Sequence, residues 1–165
     1  MSFFHFLPGA DALSQFRQQR LLASLAGQGV ILESIEAQYI HLIWSDHQLT
    51  TKEEGVLESL LTYGQKFESK IQGGSGLFSK PSLEAAIVIP RFGTVSPWAS
   101  KATDIARQCG LDVLRIERGI HFAWKTKRPL STEQNLLVIA AIHDRMTEAV
   151  IQSINEANAL YQTLD

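Results

Sequence analysis

Apolar residues in this chain come in short blocks whose spacing switches repeatedly between strand-like and helix-like periods. Phe3 to Leu7 is a brief apolar run that Pro8-Gly9 stops, which predicts a first strand. From Asp11 to Ala26 the apolar positions Leu13, Phe16, Leu21 and Leu25 fall at helical spacing, and Gly27-Gln28-Gly29 supplies the stop. Val30 to Ala37 and Tyr39 to Trp44 are β-branched and aromatic, and together they predict a hairpin. Thr50 then caps a second helix, with Glu53 placed to return a bond to the cap backbone, and that helix ends at Gly64.

Gln65 to Ser82 breaks the pattern. It carries Gly73-Gly74-Ser75-Gly76 and three lysines with little periodicity, and so reads as a linker. Ala85 to Ile89 is a continuous apolar run closed by Pro90, suited to a strand buried on both faces. Ser96-Pro97 opens a helix with a cap residue and a proline whose missing N–H costs nothing, and Cys109-Gly110 ends it. Val113 to Glu117 and Ile120 to Trp124 predict another hairpin. Leu130-Ser131-Thr132-Glu133-Gln134 opens a last helix running to about Ile154, with Leu136, Ala140, His143, Met146 and Val150 on its apolar face.

Read in order, strand–helix–strand–strand–helix occurs twice, and residues match as well. Gly29, Ile35-Glu36, Ile40-His41 and Trp44 recur as Gly110, Ile116-Glu117, Ile120-His121 and Trp124. The offset from Thr50 to Ser131 equals that from Ile35 to Ile116. The expected fold class is α+β: a duplicated, pseudo-twofold body with antiparallel-containing sheets packed on helices. Its halves are 1–64 and 84–155, joined by a linker over 65–83, with 156–165 opening a linker to further domains.

Composition narrows the function classes. The 165 residues carry 15 Lys+Arg against 17 Asp+Glu, a net charge of −2, with 45% hydrophobic residues. That balance gives no footprint for a nucleic-acid backbone, and no apolar run reaches membrane-spanning length. The start has no basic region or cleavage site of a secretory signal, and one cysteine excludes an internal disulfide or a thiolate zinc site. A cytoplasmic protein is expected.

Candidate chemistry concentrates at Pro90 to Asp104, where a buried strand passes through a Gly-containing loop into a capped helix. Free N–H groups at such a helix start hold anions. Arg91 and Lys101 add charge, and Ser96, Ser100 and Thr103 add hydroxyls. The plain alternative is that Ser96 caps, Pro97 starts the helix and Trp98 packs. His41 and His121 occupy matching places, where a shared axis would let them bind metal or titrate together, but strand alternation points each to a solvated face. His143-Asp144-Arg145 reads as mid-helix and Cys109 as a helix end that disfavours a thiolate; neither completes a catalytic set.

The run Pro90-Arg91-x-Gly93-Thr94-Val95-Ser96-Pro97-Trp98-Ala99-Ser100-Lys101-Ala102-Thr103-Asp104-Ile105-Ala106 closely resembles the N-terminal domain of the large single-chain phosphoribosylformylglycinamidine synthases. Cys109-Gly110-Leu111, Ile116-Glu117-Arg118-Gly119 and His143-Asp144-Arg145-Met146-Thr147-Glu148 extend the likeness, and Ala12-Leu13-Ser14-x-Phe16-Arg17 carries a weaker part of it. The resemblance implies a part of the enzyme that converts formylglycinamide ribonucleotide to formylglycinamidine ribonucleotide with glutamine, ATP and magnesium in purine biosynthesis. It places the ATP and metal sites in a synthetase core and the cysteine nucleophile in a glutaminase, neither in this chain. The domain resembles two fused copies of a small structural subunit.

The chain is thus expected to dock the synthetase and glutaminase domains of its own protein. It is expected to have no catalysis, cofactor or free small-molecule ligand of its own. Arg91, Thr94, Ser96, Trp98, Ser100, Lys101, Thr103 and Asp104 are the expected substrate-side or docking residues. A paired α+β module that senses small molecules is the competing class, and a stand-alone enzyme of acyl-phosphate chemistry a more distant one.

Overall fold

A computed structural model describes residues 2–69 and 82–162. The glycine-rich stretch Gly73 to Gly76 lies outside the described residues. The elements alternate: β1 (Phe3–Asp11), α1 (Gln15–Gly27), β2 (Ser34–Ser45), α2 (Thr51–Leu60), β3 (Ser82–Pro90), α3 (Pro97–Gln108), β4 (Val113–Thr126), α4 (Thr132–Ile142) and β5 (Glu148–Ile151). A 3₁₀ turn over Ile154–Asn158 and the short α5 (Ala159–Gln162) follow. One five-stranded sheet has the order β1-β2-β4-β3-β5, with every neighbouring pair antiparallel. The class is α+β, as expected.

Both expected hairpins are single strands. β2 runs unbroken for 12 residues and β4 for 14, and they pair from Ser34↔Lys125 to Ser45↔Val113. Gln38, the expected turn position, has no turn chemistry and stays in register against His121. Gly119 is needed for another reason. A Cβ there would lie 3.0 Å from the Val88 carbonyl oxygen and 3.2 Å from Ile89 Cγ2, so glycine lets β3 approach β4.

The repeating order is therefore strand–helix–strand–helix, and the residue matches diverge beyond Glu36. The spacing from Ile-Glu to Trp differs by one residue between the two segments. In unbroken strands a one-residue difference changes the face. Trp44 packs with Ile40, Leu42 and Leu160, whereas Trp124 packs with Ile35, Ala37 and Val138 on the opposite side. His41 and His121 are separated in the same way and do not share an axis.

β1 continues through Pro8-Gly9 because it is an edge strand, where a residue without an N–H is tolerated; pairing lapses only between Pro8 and Asp11. The last helix is shorter than expected. It stops at Ile142, and His143 caps it in extended conformation (φ −144°, ψ 160°). Asp144 then builds a turn: its side chain accepts from Met146 N at 2.8 Å and its carbonyl accepts from Glu148 N at 2.8 Å. Val150 and Ile151 leave that turn as a strand on β3. Leu136 and Met146, expected on a core face, are exposed.

The core sits on both faces of the sheet. Ile35 and Ala37 pack with Leu13, Leu25, Val138 and Ile142 of the α1 and α4 side. Ile43, on the same face by alternation, packs with Leu57, Leu61 and Ala106 of the α2 and α3 side. All four longer helices thus cover one face as two pairs. The opposite face holds Ile40, Leu42 and Trp44 against Ala157 and Leu160. Residues from 156 onward, expected to open a linker, place Ala157 and Leu160 at full burial. No helix among the described residues is long and apolar enough to cross a membrane.

Candidate functional site

The local sequence organises the start of α3 as expected. Ser96 is extended (φ −72°, ψ 152°), its Oγ accepts from Ala99 N at 3.0 Å, and Pro97 occupies the first turn. An anion does meet this helix end, and it is the protein's own. Ser96 Oγ donates to Glu117 Oε1 at 2.7 Å, and Ser96 N points at Oε2 from 3.5 Å. The positive end of the helix therefore stabilises the Glu117 carboxylate, at the helix start expected to hold an anion.

Glu117 is 1% exposed and its charge is matched by Arg115, 5% exposed, whose Nη2 lies 2.8 Å from Oε2. The same Arg115 Nη2 donates to the Thr94 carbonyl at 2.8 Å, and Nη1 donates to the Leu160 carbonyl at 3.2 Å. Its guanidinium carbon also lies 5.7 Å from the centre of the Trp44 ring. One buried cation thus joins β4, the loop before α3 and the C-terminal α5. Thr103 adds a second tie, donating to the Ala99 carbonyl at 2.7 Å and accepting from Ile116 N at 2.9 Å.

The expected site residues divide accordingly. Ser96 and Thr103 are committed to holding α3 on the sheet. Arg91, Thr94, Ser100, Lys101 and Asp104 are exposed, and so are the apolar Phe92, Val95 and Ile105. The loop is anchored at its base, where Arg91 N donates to the Thr147 carbonyl at 3.0 Å. Cys109 is exposed, and it stands at the end of α3, the position expected from the sequence.

Trp98 turns inward and belongs to a cluster that no motif marks. Its ring stacks on His41 (centroids 5.8 Å apart, 22° between planes), and His41 Nε2 lies 2.8 Å from the Tyr63 hydroxyl oxygen. Arg118 Nη1 donates to that same hydroxyl at 3.2 Å. The Arg118 guanidinium carbon lies over two rings, 4.4 Å from Tyr39 and 4.7 Å from Trp98.

His41 is fully buried, contrary to the solvated position expected from alternation. Its face of the sheet is the one the helix pairs cover. Burial first, and then the Arg118 charge, lower its pKa to about 4, so the ring is neutral at pH 7. Burial also lowers His121 and raises the Tyr63 phenol. Reading β4 as one strand would have exposed Arg118, because alternation then places it beside Ile116 and Ile120.

Beside this cluster, between the helix pairs, is a cavity of about 290 Å³ lined by Tyr39, Val88, Pro90, Trp98, Arg118 and Glu148 among others. Among the described residues no group of three or more His, Cys, Asp or Glu is placed to hold a metal ion. In comparison with known families, residues 38–161 match the family model described as "Formylglycinamide ribonucleotide amidotransferase N-terminal".

Proposed function

Since the chain belongs to the formylglycinamide ribonucleotide amidotransferase N-terminal family, a part of purine biosynthesis, we propose that it is the docking and coupling domain of that enzyme. In this reading it contacts the synthetase and glutaminase domains of its own protein and performs no bond-making step. In the same reading ATP and magnesium are held by the synthetase domain, as the family resemblance implies.

One observation carries the reading. The loop over residues 91–96 and the start of α3 are fixed to the sheet by Glu117 and Arg115, yet they present exposed apolar and charged side chains outward. A surface that is rigid beneath and mixed in chemistry above suits an interface whose partner needs one fixed orientation. Arg91, Ser100, Lys101 and Asp104 are the proposed docking residues. Thr94 is exposed among them, Trp98 shapes the surface from within, and Ser96 and Thr103 support it.

The test uses the complete enzyme. Arg91→Ala, Phe92→Ala and Lys101→Ala together are expected to lower glutamine-supported synthesis while leaving synthesis from free ammonia nearly intact. Glutamine hydrolysed per product formed is expected to rise. Unchanged rates and an unchanged ratio would remove the docking role from this surface.

A further inference from the structure

The Arg118 cavity has features that the docking reading does not use. Arg118 is half-buried, and among the described residues no carboxylate lies within ion-pair distance of its guanidinium. Tyr39 and Trp98 lie against the guanidinium by their ring faces, so its remaining donors are those at its edge. An edge with parallel N–H groups is the shape that accepts a carboxylate in two bonds.

Across the cavity stands the opposite charge. Val88 pairs with Ile120, and Glu148 pairs with Pro90. Continuing the β3–β4 register by two residues sets Pro90 beside Arg118, so Arg118 and Glu148 share a face with one strand between them. At about 4.8 Å per strand their backbones lie roughly 10 Å apart. The compact Pro90 ring between them leaves open the gap that a larger side chain would fill. Glu148 Oε1 accepts from Asp144 N at 2.8 Å, which fixes the carboxylate and leaves its other oxygen available.

The remaining charge nearby cancels. Glu117 is paired with Arg115, and His41 is neutral. What is left is one cation and one anion on facing walls, with Tyr39, Trp98, Val88 and Ile120 as apolar surface between them. A lone anion meets repulsion from Glu148, and a lone cation meets it from Arg118. A molecule carrying both charges a few ångströms apart meets neither.

We propose that this cavity is a binding site for a free α-amino acid, with its carboxylate on the edge of Arg118, its ammonium on Glu148, and its side chain against Trp98 and Tyr39. The site goes beyond the docking reading and does not depend on it. It also departs from the expectation of no free small-molecule ligand. A volume of about 290 Å³ falls just short of the ~300–1,000 Å³ common for drug-sized ligands, in keeping with a smaller metabolite.

The experiment titrates the 165-residue chain with leucine, phenylalanine, glutamine and glutamate, followed by calorimetry and by the Trp98 indole N–H resonance. Each amino acid is compared with its N-acetyl and its amide derivative. Saturable binding of at least one zwitterion is expected, weakened tenfold or more by either derivative. Arg118→Gln is expected to remove the penalty for the amide, and Glu148→Gln that for the N-acetyl form.

No saturation by any of the four at about 10 mM, or equal binding of the charge-blocked forms to the unaltered chain, overturns the proposal. Because the derivatives are compared on the unaltered chain, that outcome stands even if a variant fails to fold. The docking reading is scored separately, on the coupling ratio of the complete enzyme.

Discussion

Arg115 and Glu117 are two residues apart on one strand, so their side chains leave the same face, and they meet at 2.8 Å in a nearly water-free position. Each is also bonded elsewhere, Glu117 to the cap of α3 and Arg115 to the Thr94 and Leu160 carbonyls. Removing one partner leaves a buried, uncompensated charge. Glu117→Ala or Arg115→Met is therefore expected to cost about 3–5 kcal/mol. In urea denaturation the double variant should cost less than the sum of the singles by at least about 1 kcal/mol. Strictly additive losses would mean that the pair is not coupled.

His41 makes stability depend on acid. Its folded-state pKa of about 4 lies below the ordinary 6.5. The unfolded chain thus takes up this proton first as pH falls. The contribution is fully present above pH 6.5, declines toward pH 4, and is absent below it, a loss of roughly 3 kcal/mol in all. Denaturation midpoints of the unaltered chain and His41→Gln, measured from pH 7 to pH 4, should converge as pH falls. Parallel curves would show that His41 does not titrate with unfolding.

His47 behaves in the opposite sense. Asp46 first and then Glu53 raise its pKa, with ring nitrogens 2.6 Å and 2.9 Å from their carboxylates. Its stabilising contribution is present below pH 6.5 and lost as pH rises through the raised folded value. The pair is exposed, so the effect should shrink in high salt. An NMR titration is expected to place the His47 midpoint above 6.5, and Asp46→Asn to bring it down. A midpoint unmoved by that change would refute the pairing.

Three glycines should respond differently to alanine. At Gly9 a Cβ would lie 2.5 Å from His41 Cε1, and that ring is held by Trp98 and Tyr63. Gly119 has the backbone oxygen of Val88 at 3.0 Å. Alanine at either is expected to cost about 1–3 kcal/mol. Gly55, inside α2 with no atom within 4 Å, should gain roughly 0.5–1 kcal/mol on becoming alanine. Thermal unfolding separates the two signs directly.

Caps and turns formed by neighbouring residues were legible from the chain: Thr50 with Glu53, Ser131 with Gln134, Ser96 with Pro97. What spacing could not reveal depended on partners far along the chain. Gly119 resembles a turn until β3 is seen to press on it. Asp144 sits in an apolar helical pattern, yet its side chain closes a turn that frees Val150 for the sheet. Arg118 follows the conspicuous Ile116-Glu117 pair but carries no motif, and its setting is assembled from β2, β3, α3 and Tyr63. The Pro90 to Asp104 run gave no sign that Glu117 already fills its helix end.

The strand order carries a kinetic consequence. The sheet's two longest strands, β2 and β4, lie side by side at its centre but are separated in sequence by α2, β3 and α3. Their ladder closes only after the chain has paid for bringing distant segments together, the kind of contact that slows folding. Until it closes, the facing edges of β2 and β4 are unpaired, and both strands carry apolar side chains. The centre of the finished sheet is thus the costly seam to close, and newly made chains are open to mispairing with one another there.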